Sequence, residues 1–373
     1  MSKKIAILTE RLKTGFGVDL VVHEQASRLA KKYQVTVFAI DRDPDFVKKA
    51  SYHVAQLWIP LFFNPLRQDW ATLKAFKKHS HLFKDYNVFI IHTPTFNSWI
   101  PLLKKMGKVI VCYYGNSPSD GYEGLKKYRK NIFDFMEHNF YFRFADKIIT
   151  ISNFLKYQLP PGLQSKTVTN YLGGDHIIKE LQGITPHQLR KIREKFFIDL
   201  SSELLITYVG RLDYKNNPYK NTQELIKIKK TLRTRTKKKI KIFAIGFPEN
   251  NIERKLFENG IFVIPKASNK DLAAVLKSSY LLISPSLWEG FNLPLIEAQS
   301  LGIPVLAYEL GAHPEVVDKN GSGYLVKSFK EFKSKIEYLV SNSEERNRLS
   351  QNARIFSKNF SWRKNVNRLE KYL

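Results

Sequence analysis

Short apolar runs alternate along this chain with longer segments in which apolar residues recur at helical spacing. Residues 4–9 form the first run and residues 35–40 the second, and apolar residues recur every three or four positions between them, over 18–32. A short apolar run between helical segments is typical of a strand buried on both faces of a parallel sheet. The opening therefore predicts a strand–helix–strand unit of the Rossmann type.

The same alternation continues through the rest of the chain. At 373 residues, of which 43% are hydrophobic, the chain is long enough to build two buried cores. There is no repeat of the length that solenoid proteins show. We therefore expect an α/β protein of two domains. Its further predicted strands lie at residues 87–92, 109–113, 204–209, 240–246, 262–266 and 280–284.

One stretch, residues 280–307, predicts a strand, a loop, a helix and a second strand in direct succession. Asn292 is a suitable N-cap for the helix, and Pro294 falls in the first turn, where its missing N–H removes no hydrogen bond. Gly302 is a suitable residue to end the helix before the second strand begins. This order of elements belongs to a parallel sheet.

Two carboxylates flank the start of this helix, since Glu289 precedes it and Glu297 lies one turn inside it. A helix N-terminus offers free backbone N–H groups and a positive dipole end, so the amides of Phe291, Asn292 and Leu293 suit a phosphate. Carboxylates repel phosphate but bind hydroxyls, as an acidic residue binds ribose in dinucleotide folds. The arrangement therefore suits a nucleotide-diphosphate sugar, with one carboxylate at each end of the diphosphate.

The segment E-G-F-N-L-P-L-I-E, residues 289–297, resembles the E-x7-E motif of retaining glycosyltransferases of family 4, the glycosyl transferases group 1. Two glutamates on a solvated helix face are the alternative, but Gly290, Pro294, Ala298 and the G-I-P-V segment at 302–305 also agree with the family. The resemblance covers nearly the whole chain and is strongest over residues 204–325.

This resemblance implies an α/β protein with two Rossmann-like domains facing each other across a cleft, the GT-B fold. Residues 1–172 would form the N-terminal, acceptor-binding domain, and residues 173–355 the C-terminal domain that binds the nucleotide-sugar donor. Residues 356–373 would form a terminal helix that crosses back to the first domain. Residues 168–175 resemble the linker between the domains, and the paired glycines in it suit a hinge.

Gly210, Arg211 and Lys215 resemble the G-R-L…K motif of the family, in which Arg and Lys neutralise the departing diphosphate. The spacing is one residue shorter than the commonest form, so Lys215 is our assignment and Lys220 the alternative. The alternative is that Arg211 and Lys215 are ordinary surface residues. The position of the motif at the carboxyl end of a predicted strand favours a role in phosphate binding.

By the same resemblance, Glu289 would orient the hexose hydroxyls and act with Arg211 and Lys215 in catalysis, while Glu297 would hold the ribose. No residue stands out as a nucleophile, and the departing diphosphate can accept the proton of the incoming hydroxyl on the same face. The implied reaction is transfer of a hexose, with retention, to a hydroxyl of a glycan or lipid-linked acceptor.

Two features of the N-terminal half concern the same site. Gly15 and Gly17 follow the first predicted strand but lack the third glycine of a dinucleotide fingerprint, so an oxidoreductase is weakly supported. In the family this loop lies over the donor phosphates and the acceptor; a flexible turn is the alternative. The family usually has a histidine where this chain has Tyr114, so we assign Tyr114 and His92 to the acceptor side, with a core position for His92 as the alternative.

The sequence predicts no metal and no other cofactor. Asp41 and Asp43 form a D-x-D pair, which is a metal clamp in the other major glycosyltransferase fold, but they lie in a turn far from the glutamate motif. There is no His/Cys cluster with metal-ligand spacing. The single cysteine, Cys112, cannot form an internal disulfide, which favours a reducing compartment.

The charge is strongly positive, with 61 Lys and Arg against 34 Asp and Glu, a net +27. Such a charge favours polyanions or an anionic membrane surface, unless it is spread evenly over the protein. Residues 65–84 and 122–147 mix aromatic with basic side chains, which suits a membrane interface, although aromatics at helical spacing are often core. Nucleic acid is an unfavoured partner, because Glu289 and Glu297 would repel its phosphates.

The sequence thus predicts a cytoplasmic enzyme with possible peripheral contact at the inner membrane face, since the apolar run at the N-terminus is too short for a signal peptide and no stretch reaches the roughly 18 apolar residues of a membrane span. Three alternatives stay open. They are a sugar-nucleotide epimerase on the same fold, a basic nucleic-acid-binding protein, and a catalytically inactive scaffold, which the tyrosine at position 114 suggests.

Overall fold

The structure of the protein is a computed structural model that describes residues 3–48, 50–62, 65–119, 122–212, 216–233, 236–249 and 251–373. The chain divides into two compact units. One comprises Met1–Leu172 together with Trp362–Leu373, and the other comprises Gly173–Ser361. The terminal segment that joins the first unit therefore begins at residue 362 rather than at the expected residue 356.

The first unit is built on one seven-stranded sheet. Its strands, numbered along the chain, are β1 (Lys4–Leu12), β2 (Gln34–Arg42), β3 (His53–Gln56), β4 (Val88–Ile91), β5 (Lys108–Tyr113), β6 (Lys147–Thr150) and β7 (Thr167–Thr169). Its helices are α1 (Gly17–Leu29), α2 (Pro44–Lys48), α3 (Pro65–His79), α4 (Ile100–Leu103), α5 (Gly124–Asn139), α6 (Asn153–Gln158), α7 (Pro161–Gln164) and, from the end of the chain, α17 (Trp362–Glu370).

The strand order is β3-β2-β1-β4-β5-β6-β7, and neighbouring strands pair in parallel. The predicted strands that became β1, β2, β4 and β5 are confirmed, because their apolar runs are buried on both sides of the sheet. The linker expected at 168–175 is partly wrong. Its first residues belong to β7, a short strand with one valine between two threonines, which pairs with β6.

The last helix completes the core of the first unit. Val366 and Leu369 of α17 are buried in the same apolar cluster as Val22 and Leu29 of α1. The Gln25 side-chain amide donates to Oδ1 of Asn365 at 2.9 Å in the buried space between the two helices. This hydrogen bond satisfies polar groups that would otherwise be costly to bury. The end of the chain is therefore an integral part of the N-terminal unit.

The second unit is built on one six-stranded sheet. Its strands are β8 (Glu203–Val209), β9 (Lys239–Ile245), β10 (Ile261–Ile264), β11 (Leu281–Ser284), β12 (Val305–Tyr308) and β13 (Gly323–Val326). Its helices are α8 (His176–Gln182), α9 (Pro186–Lys195), α10 (Glu224–Thr231), α11 (Ile252–Glu258), α12 (Asn269–Ser278), α13 (Leu293–Ser300), α14 (His313–Val316), α15 (Phe329–Ser341) and α16 (Ser343–Ser357).

Helices cover both faces of this second sheet. One face forms a large apolar cluster with α10, α11, α15 and α16, and the other forms a smaller cluster that includes Val275 of α12. The strand order is β10-β9-β8-β11-β12-β13, again with parallel pairing. The predicted strands in this half are confirmed to within a few residues at their ends.

Both sheets change direction at one position in their strand order. In the first unit the chain passes from β3 back across the sheet to β4, beside β1; in the second it passes from β10 back to β11, beside β8. In open α/β sheets, ligands bind at the carboxyl ends of the strands at such a switch point. The fold therefore marks the ends of β1 and β4, and of β8 and β11, as the places to look for a site.

Candidate active site

Three of the predicted donor residues lie at the carboxyl ends of β8 and β11. Gly210 and Arg211 follow β8 directly, and Glu289 lies in the loop that follows β11. Gly210 lies close to a neighbouring glycine, since a Cβ on Gly246 would be 1.9 Å from the Gly210 carbonyl oxygen. Only a residue without a side chain fits there, so the two strand ends β8 and β9 can lie close together.

Glu289 forms a buried ion pair with Lys220. The Lys220 ammonium lies 2.7 Å from Oε1 of Glu289, and the side chains are only 17% and 8% exposed. The backbone of Glu289 is also fixed, because its carbonyl accepts from the N–H of Ala312 at 3.0 Å. Gly311 has φ +56°, and a Cβ on it would be 2.6 Å from the same carbonyl oxygen. Lys220 therefore holds the carboxylate of Glu289, and the N–H of Ala312 holds its backbone carbonyl.

The segment Pro218–Lys220 is a 3₁₀ turn that is joined to the loop after β11. The carbonyl of Tyr219 accepts from the N–H of Leu287 at 2.7 Å, and the rings of Tyr219 and Trp288 pack edge to face. Buried Asn217 accepts from Arg211 Nη1 at 3.0 Å and from Tyr219 Oη at 3.2 Å. These contacts hold Arg211 and Lys220 on the same side as Glu289.

Lys215, our assigned cation, lies outside the residues that the structure describes. Lys220, the alternative, contacts Glu289. Asn217 was not predicted, and nothing in the sequence distinguishes it from its neighbour Asn216.

The helix α13 begins at Leu293 after Asn292, and Pro294 lies in its first turn as predicted. The expected capping by the Asn292 side chain is wrong. Asn292 has left-handed backbone angles, φ 69° and ψ 66°, and its amide donates to Ser284 Oγ and to Nε2 of His313, both at 2.8 Å. An Asn tolerates this backbone conformation better than most residues. The Asn292 side chain thus holds the turn before the helix, and the backbone amides of residues 292 and 293 lie at the helix N-terminus.

His313 is the buried partner that makes this turn possible. Its Nδ1 lies 2.7 Å from the carbonyl of Tyr308, so this nitrogen carries the proton and donates. Nε2 then accepts from Asn292. Burial lowers the pKa of His313, which keeps the imidazole neutral. The sequence analysis missed His313, although it lies in the Gly-Ala-His-Pro segment just after β12.

Phe291 and Leu293 can serve a ligand only through their backbone. The side chain of Phe291 is buried and packs against the ring of Phe360 at 6.0 Å between centroids, and Leu293 is also buried. Both side chains are therefore part of the core of the second unit. That the backbone amides of this segment bind a phosphate stays a prediction.

Glu297 lies on α13 with a different partner from Glu289. It is buried, and its Oε1 lies 3.1 Å from Nε2 of His176 at the start of α8. Gly174 explains how α8 reaches this position, because a Cβ there would be 2.5 Å from the side chain of Ile296. Close approach of the backbone to Ile296 accounts for a glycine at this point. His176 was not predicted.

In the first unit, Gly15 and Gly17 lie in an exposed turn at the end of β1. Gly15 has φ 88°, and Gly17 is the first residue of α1. Asp19, which the sequence analysis missed, anchors this turn by accepting from Arg11 Nε at 3.0 Å and from the N–H of Lys13 at 2.9 Å. Asp19 is buried, and burial raises the pKa of its carboxyl despite the nearby Arg11.

The structure brings His92 and Tyr114 together at the ends of β4 and β5. His92 Nδ1 lies 2.6 Å from Tyr114 Oη, and the two rings stack. Burial lowers the pKa of His92 to about 3, so the imidazole is neutral and carries one N–H. One nitrogen of this buried ring, Nε2, has no hydrogen-bond partner in the described part of the chain.

Asp41 of the D-x-D pair forms an ion pair with Lys13 at 2.5 Å. In the described part of the chain, His, Cys, Asp and Glu side chains nowhere assemble in groups of three or more that could hold a metal ion. Cys112 is a free, buried thiol whose pKa is raised by burial to about 12.

The aromatic and basic stretch at 122–147 divides into two parts. Tyr141 and Phe142 are buried, as a core position predicts, but Tyr128, Phe135 and Phe140 are 65%, 66% and 57% exposed. The exposed rings lie on or beside α5, which also carries exposed lysines. None of the helices in the described ranges combines the length and the apolar character needed to cross a membrane.

Comparison with known proteins agrees with this architecture. Residues 17–171 match the sequence profile of Glycosyltransferase Family 4, and residues 190–356 match that of Glycosyl transferases group 1. The chain is 25% identical to spore coat protein SA of Bacillus subtilis, over 97% of this chain and 96% of that protein. It is 27% identical to an uncharacterized glycosyltransferase of Methanocaldococcus jannaschii, over 61% and 60%.

The structure is similar to that of HepE from Anabaena, solved in complex with UDP-glucose. The TM-score is 0.78, the match covers 99% of this chain and 98% of that one, and the sequences are 17% identical. This likeness and the two parallel sheets confirm the predicted α/β architecture of two Rossmann-like domains, the GT-B fold.

Proposed function

Because the chain belongs to the glycosyltransferases of group 1 and family 4, we propose that it moves a hexose from a nucleotide-diphosphate sugar to a hydroxyl of a glycan or lipid-linked acceptor, with retention and without a metal ion. The observation that carries this proposal is the buried Lys220–Glu289 pair beside Arg211, at the switch point of the second sheet. HepE was solved with UDP-glucose, which makes this nucleotide sugar the first donor to test.

In this proposal the diphosphate binds between Arg211, Lys220 and the N-terminus of α13. Negative charge grows on the departing diphosphate as the bond to the sugar breaks, and fixed positive groups stabilise that charge most where water is scarce. Arg211 supplies a planar fork of donors that matches phosphate oxygens. The amides of Asn292 and Leu293 supply uncharged donors in the same direction. Lys215 stays a second candidate for the cation.

The two glutamates have separate roles in this proposal. Glu289 binds hexose hydroxyls, since its Oε2 can accept hydrogen bonds while Oε1 stays with Lys220. Glu297 binds the ribose hydroxyls, with His176 holding its carboxylate in place. The partners keep both carboxylates oriented before the donor arrives, which reduces the entropy lost on binding.

Retention follows if the acceptor attacks from the face that the diphosphate leaves. The bond between the anomeric carbon and the phosphate oxygen breaks, the bond to the acceptor oxygen forms, and the acceptor proton moves to the diphosphate. This route uses no protein nucleophile, because the departing diphosphate itself accepts the proton of the incoming hydroxyl. The neutral donors of the first unit, His92 and Tyr114, lie at the ends of β4 and β5 and would bind acceptor hydroxyls near the Gly15–Gly17 turn.

We also propose peripheral contact with an anionic membrane at its inner face, on the cytoplasmic side, through α5. Exposed Tyr128, Phe135 and Phe140, together with lysines on the same helix, suit an interface of acyl chains and negative headgroups. Flotation with vesicles that contain anionic lipid tests this contact, and vesicles of neutral lipid are the control. Binding to both types or to neither contradicts it.

The first experiment is a thermal-shift panel of UDP, GDP, ADP and dTDP with their common sugar conjugates, each with and without EDTA. Ligand at about a hundred times its dissociation constant should add roughly 2.7 kcal/mol to the free energy of unfolding. One nucleotide that stands out and is insensitive to EDTA supports the proposal and identifies the donor class. A panel without any shift contradicts the donor site and favours a polyanion as ligand.

Product analysis with that donor separates the remaining alternatives. A transferase forms a new glycoside only when an acceptor is present, whereas a sugar-nucleotide epimerase converts the donor without one. A nucleic-acid-binding protein would instead show micromolar or tighter binding to nucleic acid that weakens steeply with salt.

A further inference from the structure

Glu137 is a buried carboxylate in the first unit to which the proposed reaction gives no role. It lies near the end of α5 and is 2% exposed. Its Oε1 accepts from the side-chain amide of Asn97 at 2.9 Å, and its Oε2 accepts from that of Asn116 at 2.7 Å. Each carboxylate oxygen therefore binds one asparagine.

The two asparagines come from the loops that carry the acceptor-side residues. Asn97 lies in the 3₁₀ segment Pro94–Trp99, which follows β4 and His92. Asn116 follows β5 and Tyr114. Both loops lie at the carboxyl ends of neighbouring strands, so Glu137 connects them through a single side chain.

We propose that Glu137 is a pH-sensitive positioning residue, which in its ionised form holds the loops after β4 and β5 in place and on protonation releases one of them. This inference rests on the proposed function for its effect on sugar transfer, because the two loops carry His92 and Tyr114. Its structural part, the ordering of the loops, does not depend on that function.

The chemistry of the carboxyl group explains the release. An ionised carboxylate only accepts hydrogen bonds, and both asparagines meet it with their NH₂ groups. A protonated carboxyl carries one O–H, which an NH₂ group cannot accept. The contact at the protonated oxygen is then weakened, because its O–H faces an NH₂ group that cannot accept it, and a buried polar group without a partner is costly.

The surroundings of Glu137 place this change near neutral pH. Burial raises the pKa of Glu137 to about 7, and Asp134 raises it further, while the two asparagines and Lys130 oppose the shift. His138 lies on the same helix, with Nε2 3.7 Å from Oε2 of Glu137, and burial lowers its pKa. From β5, Tyr113 faces the same group and hydrogen-bonds His138 at 3.2 Å.

The effect on stability has the opposite direction to the effect on the loops. Because the pKa is raised from 4.5 to about 7 in the folded protein, Glu137 stabilises the fold most when protonated, and this contribution is lost as the pH rises through 7. A positioning role therefore predicts that transfer increases as the pH rises through about 7, while stability decreases between pH 4.5 and that value. A merely structural role predicts that stability decreases while kcat stays unchanged.

Hydrogen exchange of the full chain without substrate tests the structural part. After correction for intrinsic rates, we expect residues 93–99 or 114–118 to exchange about tenfold faster at about pH 6 than at about pH 8, since the ionised fraction changes by about that factor. Glu137→Gln, which mimics the protonated form, should exchange fast at both pH values. Unchanged protection of both loops in the wild type and in Glu137→Gln overturns the inference.

Two further variants should move the pH midpoint of hydrogen exchange in the loops in opposite directions. Asn116→Ala removes a hydrogen bond that lowers the pKa of Glu137, so the midpoint should move up; Asp134→Asn removes a charge that raises it, so the midpoint should move down. Both keep Glu137 and remain informative if Glu137→Gln does not fold. Movement of both midpoints in the same direction, or of neither, contradicts the assignment to Glu137.

Turnover of the donor identified by the thermal-shift panel tests the functional part. We expect kcat to rise several-fold from about pH 6 to about pH 8 with a midpoint near 7, while the donor KM stays constant, because the side chains proposed to hold the donor lie in the other unit. The midpoint should disappear in Glu137→Gln. A midpoint near 7 that persists in that variant overturns the functional part. If no donor is turned over, the proposed function fails, and the exchange experiment still decides the structural part.

Discussion

The two sheets of this protein share one topology but have different chemistry at their switch points. At the ends of β8 and β11 lie a buried ion pair, Lys220 with Glu289, and the guanidinium of Arg211. At the ends of β4 and β5 lie a neutral imidazole and a phenol, His92 with Tyr114. The first arrangement suits a ligand that gains charge during reaction, and the second suits hydroxyl groups that stay neutral.

The contrast shows that the switch point of a sheet determines where a ligand can bind, whereas the side chains there determine which chemistry is possible. In the second unit the side chains that hold the site are charged and come from segments far apart in sequence. In the first unit burial removes charge, since it lowers the pKa of His92 to about 3 and raises that of Tyr114. Four predictions test whether the charged end handles the donor and the neutral end the acceptor.

The largest effect should come from Lys220. We expect Lys220→Ala to lower kcat by about 10²–10³-fold, because it removes a positive charge that would stabilise the negative charge growing on the departing diphosphate. It should also lower the free energy of unfolding by about 3–5 kcal/mol, because it leaves Glu289 buried without its partner. Turnover assays and denaturant unfolding measure the two effects.

Lys215→Ala is the matched control for this experiment, and Lys220→Arg tests the charge alone. If Lys215→Ala lowers kcat more than Lys220→Ala does, the motif lysine is Lys215 and the contact with Glu289 is structural.

Next come Arg211 and Glu297, which should affect different kinetic constants. Arg211→Ala should chiefly lower kcat, because the charge it stabilises develops only as the bond breaks. Glu297→Ala should weaken nucleotide binding by about tenfold or more, as expected for a lost hydrogen bond to a charged group. Steady-state kinetics and calorimetry with the nucleotide alone separate the two. Parent rates and affinities in both variants would show that the site is misplaced.

A smaller effect is expected at the neutral end. Tyr114→Phe removes the partner of His92 Nδ1 and one donor to the acceptor, so the acceptor KM should rise by up to about tenfold. Nucleotide affinity should stay at the parent value, which calorimetry checks. A change in nucleotide affinity instead would contradict the separation of the two ends.

The smallest effect near neutral pH concerns the stability of the first unit. The pKa of His92 is lowered from 6.5 to about 3 on folding, so between these pH values the unfolded chain binds a proton at this residue and the folded chain does not. This contribution to stability is present above pH 6.5 and is lost as the pH falls towards 3, by at most roughly 1.4 kcal/mol per pH unit. His92→Gln, measured by urea unfolding from pH 7 to pH 4, should lose less stability on acidification. An equal loss would mean that the ring is protonated in the folded state.

The sequence predicted most of the fold because its strands are short apolar runs between helices. It missed β3 and β7, since Thr167–Thr169 holds one apolar residue, and β3, His53–Gln56, is only partly buried. Local pattern cannot identify a strand whose place depends on a neighbour already in the sheet.

The site could be predicted where a residue belongs to a motif with fixed spacing, as Glu289, Glu297 and Arg211 do. It could not be predicted where a residue acts by holding another. His313 and His176 orient Asn292 and Glu297, and Glu137 reaches two asparagines from another helix. Such partners are set by packing between elements distant in sequence, which no local spacing shows.

The last helix has a consequence for the way the protein is made. A ribosome produces α1 early and α17 after the whole second unit, yet Val366 and Leu369 lie in the core that α1 shares. During synthesis, part of the apolar core of the first unit therefore stays uncovered until α17 has been made, and the second unit can fold before that point. Although most of the first unit is synthesised before the second, its core is completed only after the second unit has been synthesised.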